Sequence, residues 1–128
     1  MNNLHIEKTS STPKIDFNTE TKVMKIDGQS YPENAFKFYE PILSWIDEFL
    51  ENEQEEISIE INFHLPYINS SSTKCIMMML DKFENHFNKG KKISVKWYYD
   101  VENESSFECA EEFKEDLTLP FQTVIENT

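Results

Sequence analysis

Four hydroxyls stand in a row at Ser70-Ser71-Ser72-Thr73, preceded by Tyr67-Ile68-Asn69 and followed by Lys74. The run joins a stretch of alternating apolar residues to one with helical spacing, so it lies where a strand ends and a helix begins. Two chemistries use that place. Asn and Ser are preferred helix caps, and capping alone accounts for them. The first-turn amides and the helix dipole also favour an anion, so a phosphoserine there would be held without any arginine, with Lys74 adding one point charge. Phosphorylation would add roughly two negative charges and change which partner the surface accepts.

Other reactive side chains are less organised. His5, His64 and His86 are scattered, with no H-x-x-x-H or HExxH pattern, and His64 falls on the polar side of a strand near Glu60 and Asn62. Cys75 and Cys109 make no metal pattern and read as small core or boundary residues. Carboxylates are numerous, but no motif sets two of them in a pocket. Only two glycines are present, which excludes both glycine-rich phosphate loops. Neither a metal nor a cofactor is expected.

The charge excludes more. The 128 residues carry 24 Asp+Glu against 12 Lys+Arg, a formal net charge of −12, and every basic residue is lysine. Nucleic acid wants a basic stripe and arginine forks, so it is not an expected partner. An arginine finger and a bidentate phosphate clamp are excluded too. The charge is segmented: residues 38–73 hold eight acids and no base, residues 74–99 six lysines and two acids, and residues 100–116 eight acids and Lys114. Such runs are usually solvated faces, and otherwise they steer partners. No apolar run is long enough to span a membrane, and the start lacks a signal-peptide core, so a cytoplasmic protein without membrane insertion is expected.

The elements that position the hydroxyl run follow from hydrophobic period. Residues 1–30 read as short strands, with Ile15 and Phe17 alternating, Val23 to Ile26 forming a second run, and Asp27-Gly28 signalling a hairpin or turn. Ser30 and Glu33 have capping-box spacing, with Pro32 between them, so a helix is expected to start near Ser30. Ala35, Phe38, Tyr39, Ile42, Trp45, Ile46 and Phe49 give it one apolar face, and Pro41 should kink or split it. A polar loop, Glu51 to Glu56, follows. Ile57, Ile59, Ile61, Phe63 and Leu65 alternate with polar residues as a one-faced strand. Ile76, Met79, Leu80, Phe83 and Phe87 mark a second helix, stopped at Asn88-Lys89-Gly90. Ile93, Val95, Trp97 and Tyr99 mark another one-faced strand, Phe107, Ala110 and Phe113 a third helix, and Phe121, Thr123 and Ile125 a last strand.

This order predicts a single α/β domain over residues 1–128: a mixed sheet with parallel core strands and helices mainly on one face. The polar sheet face is left to the N-terminal strands, a partner or water, since parallel sheets are normally covered on both sides. On the second helix Met78 points away from the core and Met77 lies at the margin. Lys74 and Lys82 share the Met78 face, and methionine beside lysines suits an adaptable protein contact.

Tyr31-Pro32-Glu33-Asn34, Tyr67 to Lys74, Trp97-Tyr98-Tyr99-Asp100 and Ala110 to Asp116, together with Ser11-Thr12-Pro13 and Leu119-Pro120-Phe121, resemble the SiaC family of bacterial regulatory phosphoproteins over nearly the whole chain. The resemblance implies a STAS-like domain, similar to anti-sigma-factor antagonists and without catalysis of its own. It implies partner switching: a serine/threonine kinase phosphorylates the hydroxyl after the first long strand and a metal-dependent phosphatase removes the phosphate. The unmodified form then binds and activates a diguanylate cyclase, raising cyclic di-GMP and promoting aggregation or biofilm. The family's phosphoacceptor is the threonine of a Tyr-Leu-Asn-Thr-Ser-Ser motif. That position is Ser70 here, with Ser71 as competitor and Asn69, Ser71, Ser72 and Lys74 around the phosphate.

The expected function is therefore a non-enzymatic, phosphorylation-switched binding protein, with Tyr67, Lys74, Met77, Met78 and Lys82 as its partner surface. Two rivals come from other classes. One is a small enzyme or ligand-binder using a pocket at the strand ends, with Tyr67, Asn69 and Asp100. The other is a structural oligomer joined through a sheet face.

Overall fold

The computed structural model describes residues 1–52 and 58–126. Its elements run β1 (Leu4–Ile6), β2 (Lys14–Phe17), β3 (Val23–Asp27), α1 (Ala35–Asn52), β4 (Ser58–His64), α2 (Ser70–Asn88), β5 (Lys92–Tyr99), α3 (Glu104–Glu115) and β6 (Phe121–Ile125). The strands form one six-stranded sheet in chain order. β1, β2 and β3 pair antiparallel, and β3, β4, β5 and β6 pair parallel, so the sheet is mixed as expected. Each parallel step is a crossover through one helix. Because every crossover moves one strand in the same direction and such crossovers share one hand, all three helices fall on one face.

The one-faced strand pattern decides which face. Ile15, Phe17, Met24, Ile26, Ile59, Ile61, Phe63, Val95 and Trp97 are buried against Ile42, Ile46, Phe49, Ile76, Met79, Phe83 and Phe113 of the helices. Trp97 satisfies its indole by donating to Ser106 Oγ at 3.0 Å, which ties α3 to β5. The N-terminal strands extend the sheet rather than cover its polar face. On that face Lys96 meets Glu60 at 3.2 Å, and His64 stacks on Tyr98 with ring centroids 4.4 Å apart. Asn62 there is only 7% exposed, and its Oδ1 has no hydrogen-bond partner among the described residues.

One local expectation is corrected and two are narrowed. The helix does not begin near Ser30. Ser30 is fully buried in a parallel bridge with Ile68, donating its amide to Tyr67 O at 2.9 Å and accepting from the Asn69 amide at 3.0 Å. With its backbone so engaged it cannot cap. Asn34 does so instead, accepting from the Lys37 amide at 3.0 Å, and α1 starts at Ala35. Pro41 does not split the helix, which is continuous from Ala35 to Asn52. Pro41 faces solvent, and buried residues on both sides of it hold the helix together across the missing bond. The hairpin lies not at Asp27-Gly28 but between β2 and β3, where Asn18 Oδ1 accepts from the amides of Glu20 and Thr21 and Lys22 takes φ 62°. Gly28 instead leads into the α1 crossover at φ +133°, where a Cβ would lie 2.8 Å from Lys8 Cδ and 3.2 Å from Pro13 Cα. Ile57 and residues 53–56 of the polar loop lie outside the described residues.

Candidate functional site

The strand-to-helix junction forms because β4 runs out at Pro66 and Asn69 then caps α2. Asn69 is extended (φ −82°, ψ 173°), and its Oδ1 accepts from the Ser72 amide at 2.9 Å. The four hydroxyls that follow are thereby separated into different roles. Ser72 is fully buried, and its Oγ accepts from Ser30 Oγ at 2.8 Å, which in turn lies 2.7 Å from the Tyr39 hydroxyl. Thr73 Oγ1 donates to the Asn69 carbonyl at 3.0 Å. Ser71 is exposed, but its hydroxyl donates to Asn69 Oδ1 at 3.2 Å. Ser70 is exposed, and its hydroxyl meets no partner among the described residues.

The first turn keeps anion-binding capacity beside it. The Ser72 amide goes to the cap and the Thr73 amide to the Asn69 carbonyl, while those of Ser70 and Ser71 point ahead of the first intrahelical bond with no partner among the described residues. Lys74 is exposed one turn further on, at the i+4 spacing that makes helix neighbours. No acid stands in the first turn.

The surrounding residues divide. Tyr67 is 54% exposed, and its ring lies 6.0 Å from that of Tyr31, itself 41% exposed. Tyr31 was not singled out as a site residue by the sequence, because only the bridge at Ser30 brings it there. No local pattern marks Ser30 as buried, so the sequence carries no signal for Tyr31. Met77 and Met78 are 44% and 42% exposed on α2. Lys82 is half-buried and bound to Asp47 of α1 at 2.9 Å, so it links two helices rather than standing free. The lysine-bearing α2 thus packs beside the acidic α1 and borders the acidic α3.

The strand ends do not gather the rival's residues. Tyr67 lines a hollow of about 180 Å³ and Asp100 a different one of about 240 Å³, while Asn69 lines neither. Both are smaller than a usual ligand pocket of about 300 Å³ or more. Asp100 Oδ1 accepts from the Glu102 amide at 2.8 Å, closing its own turn. Burial pushes the Cys75 thiol up, and burial together with Glu112 pushes that of Cys109 up to about 11, so neither is a thiolate at neutral pH. Among the described residues no group of three His, Cys, Asp or Glu could hold a metal, and no helix is long and apolar enough to cross a membrane.

Comparison with known proteins agrees with this architecture. The chain is 38% identical over 121 residues to an uncharacterised protein of Pseudomonas aeruginosa, covering 94% of each. Its fold matches apo-SiaC from Pseudomonas aeruginosa at a TM-score of 0.90, with 36% identity over 96% of this chain and 98% of that one. It matches equally well, at 0.90 and 36% identity over 96% and 99%, a chain from the diguanylate cyclase SiaD in complex with its activator SiaC from the same organism. The family model for the SiaC family regulatory phosphoprotein matches residues 6–126. With one mixed sheet, three helices on one face and a match over nearly its whole length, this chain belongs to the SiaC family of regulatory phosphoproteins.

Proposed function

We propose that this chain is a reversible binding switch set by phosphorylation of Ser70, and that its unmodified form binds and activates a diguanylate cyclase. The observation that carries the reading is the separation of the four hydroxyls. Ser70 alone is both exposed and uncommitted, and it sits at a helix N-terminus with two open amides. The relative solved with SiaD is that cyclase's activator, which supports the same output here. A serine/threonine kinase and a metal-dependent phosphatase would write and erase the mark.

The physics of the switch follows from the surface. Lys74, Met77 and Met78 lie at i+4, i+7 and i+8 from Ser70, so serine, lysine and methionines share one side of α2. A partner resting on that side would bury the serine. A phosphate there would bring roughly two charges into a contact where they must be desolvated, and it would add to an already acidic protein. Held by amides and one lysine rather than by arginine, the phosphate would stay open to a phosphatase. No catalytic role is assigned to any residue of the chain.

Incubation with the cognate kinase and ATP, followed by site-resolved mass spectrometry, tests the reading. Phosphate is expected on Ser70, abolished by Ser70→Ala and retained by Ser71→Ala. Cyclase binding should be lost in Ser70→Asp and kept in Ser70→Ala. An unmodified Ser70, or full binding by Ser70→Asp, would overturn it.

A further inference from the structure

We infer that the groove between α2 and α3 docks an amphipathic, lysine- or arginine-bearing segment of a protein partner. The groove has a volume of about 510 Å³, and its apolar floor includes Met77, Leu80, Phe113 and Leu117. Its rim carries Asp81, Glu112, Glu115 and Asp116, and none of its described lining residues is basic. All four acids are exposed. The lysines of the neighbourhood do not relieve them: Lys82 is bound to Asp47, and neither Lys74 nor Lys114 lines the groove.

This combination selects its occupant. The floor rewards burial of a bulky apolar side chain, and Met77, unbranched and half-exposed, can adapt to it. The rim holds four carboxylates that repel one another until a cationic partner neutralises them. A cationic segment with an apolar side chain satisfies floor and rim together. Nucleic acid and anionic lipid are repelled by the rim. A second copy of this chain brings a net charge of −12 against it. A neutral small molecule fills the floor but leaves the acids unpaired.

The inference does not rest on phosphorylation. It shares Met77 with the surface proposed above, but it needs neither Ser70 nor a kinase, so either reading can fail while the other stands.

The test uses the full chain, labelled for NMR, and a synthetic amphipathic leucine–lysine helical peptide as the probe. Saturable shifts confined to the residues of the floor are expected, weakening as salt rises. Reversing the rim with Glu112→Lys and Asp116→Lys should lower affinity about tenfold or more, while the charge-matched reversal Glu20→Lys with Glu33→Lys, away from the groove, should change it by less than about twofold. Circular dichroism of both variants verifies that they fold. Equal losses in the two double variants, shifts spread over the whole acidic surface, or equal binding of a leucine–glutamate peptide would overturn the inference. So would light scattering showing a dimer in which Met77 is protected.

Discussion

Ser30 and Ser72, 42 residues apart in the chain, are joined through their hydroxyls at 2.8 Å inside the core. Tyr39 completes the chain at 2.7 Å, so the loop before α1, α1 itself and the first turn of α2 are held by one buried line of hydroxyls. Ser30 is the middle member, and removing it leaves both neighbours unpaired. Ser30→Ala should therefore cost about 2–3 kcal/mol, whereas Ser72→Ala, which leaves Ser30 with Tyr39, should cost about 1 kcal/mol. Urea denaturation measures both. A cost for Ser72→Ala equal to or above that of Ser30→Ala would show that the line does not run through Ser30.

Tyr39 makes the same line visible at high pH. Burial pushes its hydroxyl up from 10.0 to about 12, with the Ser30 hydrogen bond working in the opposite direction. An acid whose pKa is raised by folding contributes fully to stability while both states are protonated. Above pH 10 the unfolded chain ionises first, so this contribution falls as pH rises from 10 to about 12. Tyr39→Phe lacks the effect. Its stability deficit at neutral pH should shrink through that window by roughly 2 kcal/mol. A deficit that stays constant across denaturation curves from pH 8 to 12 would contradict the buried hydroxyl.

The cap at Asn69 decides which serine is open. Its Oδ1 takes both the Ser72 amide and the Ser71 hydroxyl. Asn69→Ala should cost about 1 kcal/mol for the lost cap. It should also free the Ser71 hydroxyl, and under the proposed switch at Ser70 a serine/threonine kinase should then place a measurable share of phosphate on Ser71. Thermal denaturation reads the first effect and peptide-level mass spectrometry the second. Loss of stability with no change in the site of phosphorylation would separate capping from site choice.

Strand and helix periods were legible because one-sided burial writes them directly: Ile59, Ile61 and Phe63 alternate, and Ile76, Leu80 and Phe83 recur at helical spacing. The place of the hydroxyl run was legible for the same reason. What failed were local rules overruled by distant partners. Ser30 and Glu33 have the spacing of a capping box, yet the backbone of Ser30 pairs with the segment 67–69, and no local pattern encodes that partner. Composition and spacing alone leave the hydroxyls of Ser70, Ser71, Ser72 and Thr73 equivalent; the family resemblance points to Ser70, and three-dimensional partners give the other three their roles. Tyr31 beside Tyr67 and Lys82 on Asp47 are likewise long-range facts. The β2–β3 hairpin went unseen because it uses an Asn side chain and a left-handed lysine in place of glycine.

Glu84 offers the last test, on the far part of α2. Its carboxylate accepts from the Thr118 amide at 2.9 Å, the Thr118 hydroxyl at 2.6 Å and the Leu119 amide at 3.0 Å, fastening α2 to the loop that feeds β6. Burial pushes its carboxyl up, but the hydrogen bonds from Thr118, Leu119 and Asn88 outweigh that and hold it below the usual 4.5. A depressed carboxyl contributes stability that is complete above the unfolded value and is lost as pH falls through the lower folded value. Glu84→Gln keeps the shape and one acceptor but loses the charge. Because the group is partly exposed, solvent screening limits the expected cost to about 1 kcal/mol at neutral pH. That difference should vanish below the folded value, so denaturation curves of parent and variant should converge as pH falls below 4.5. Curves that stay parallel across that range would mean that the carboxylate's charge is not what fastens β6 to α2.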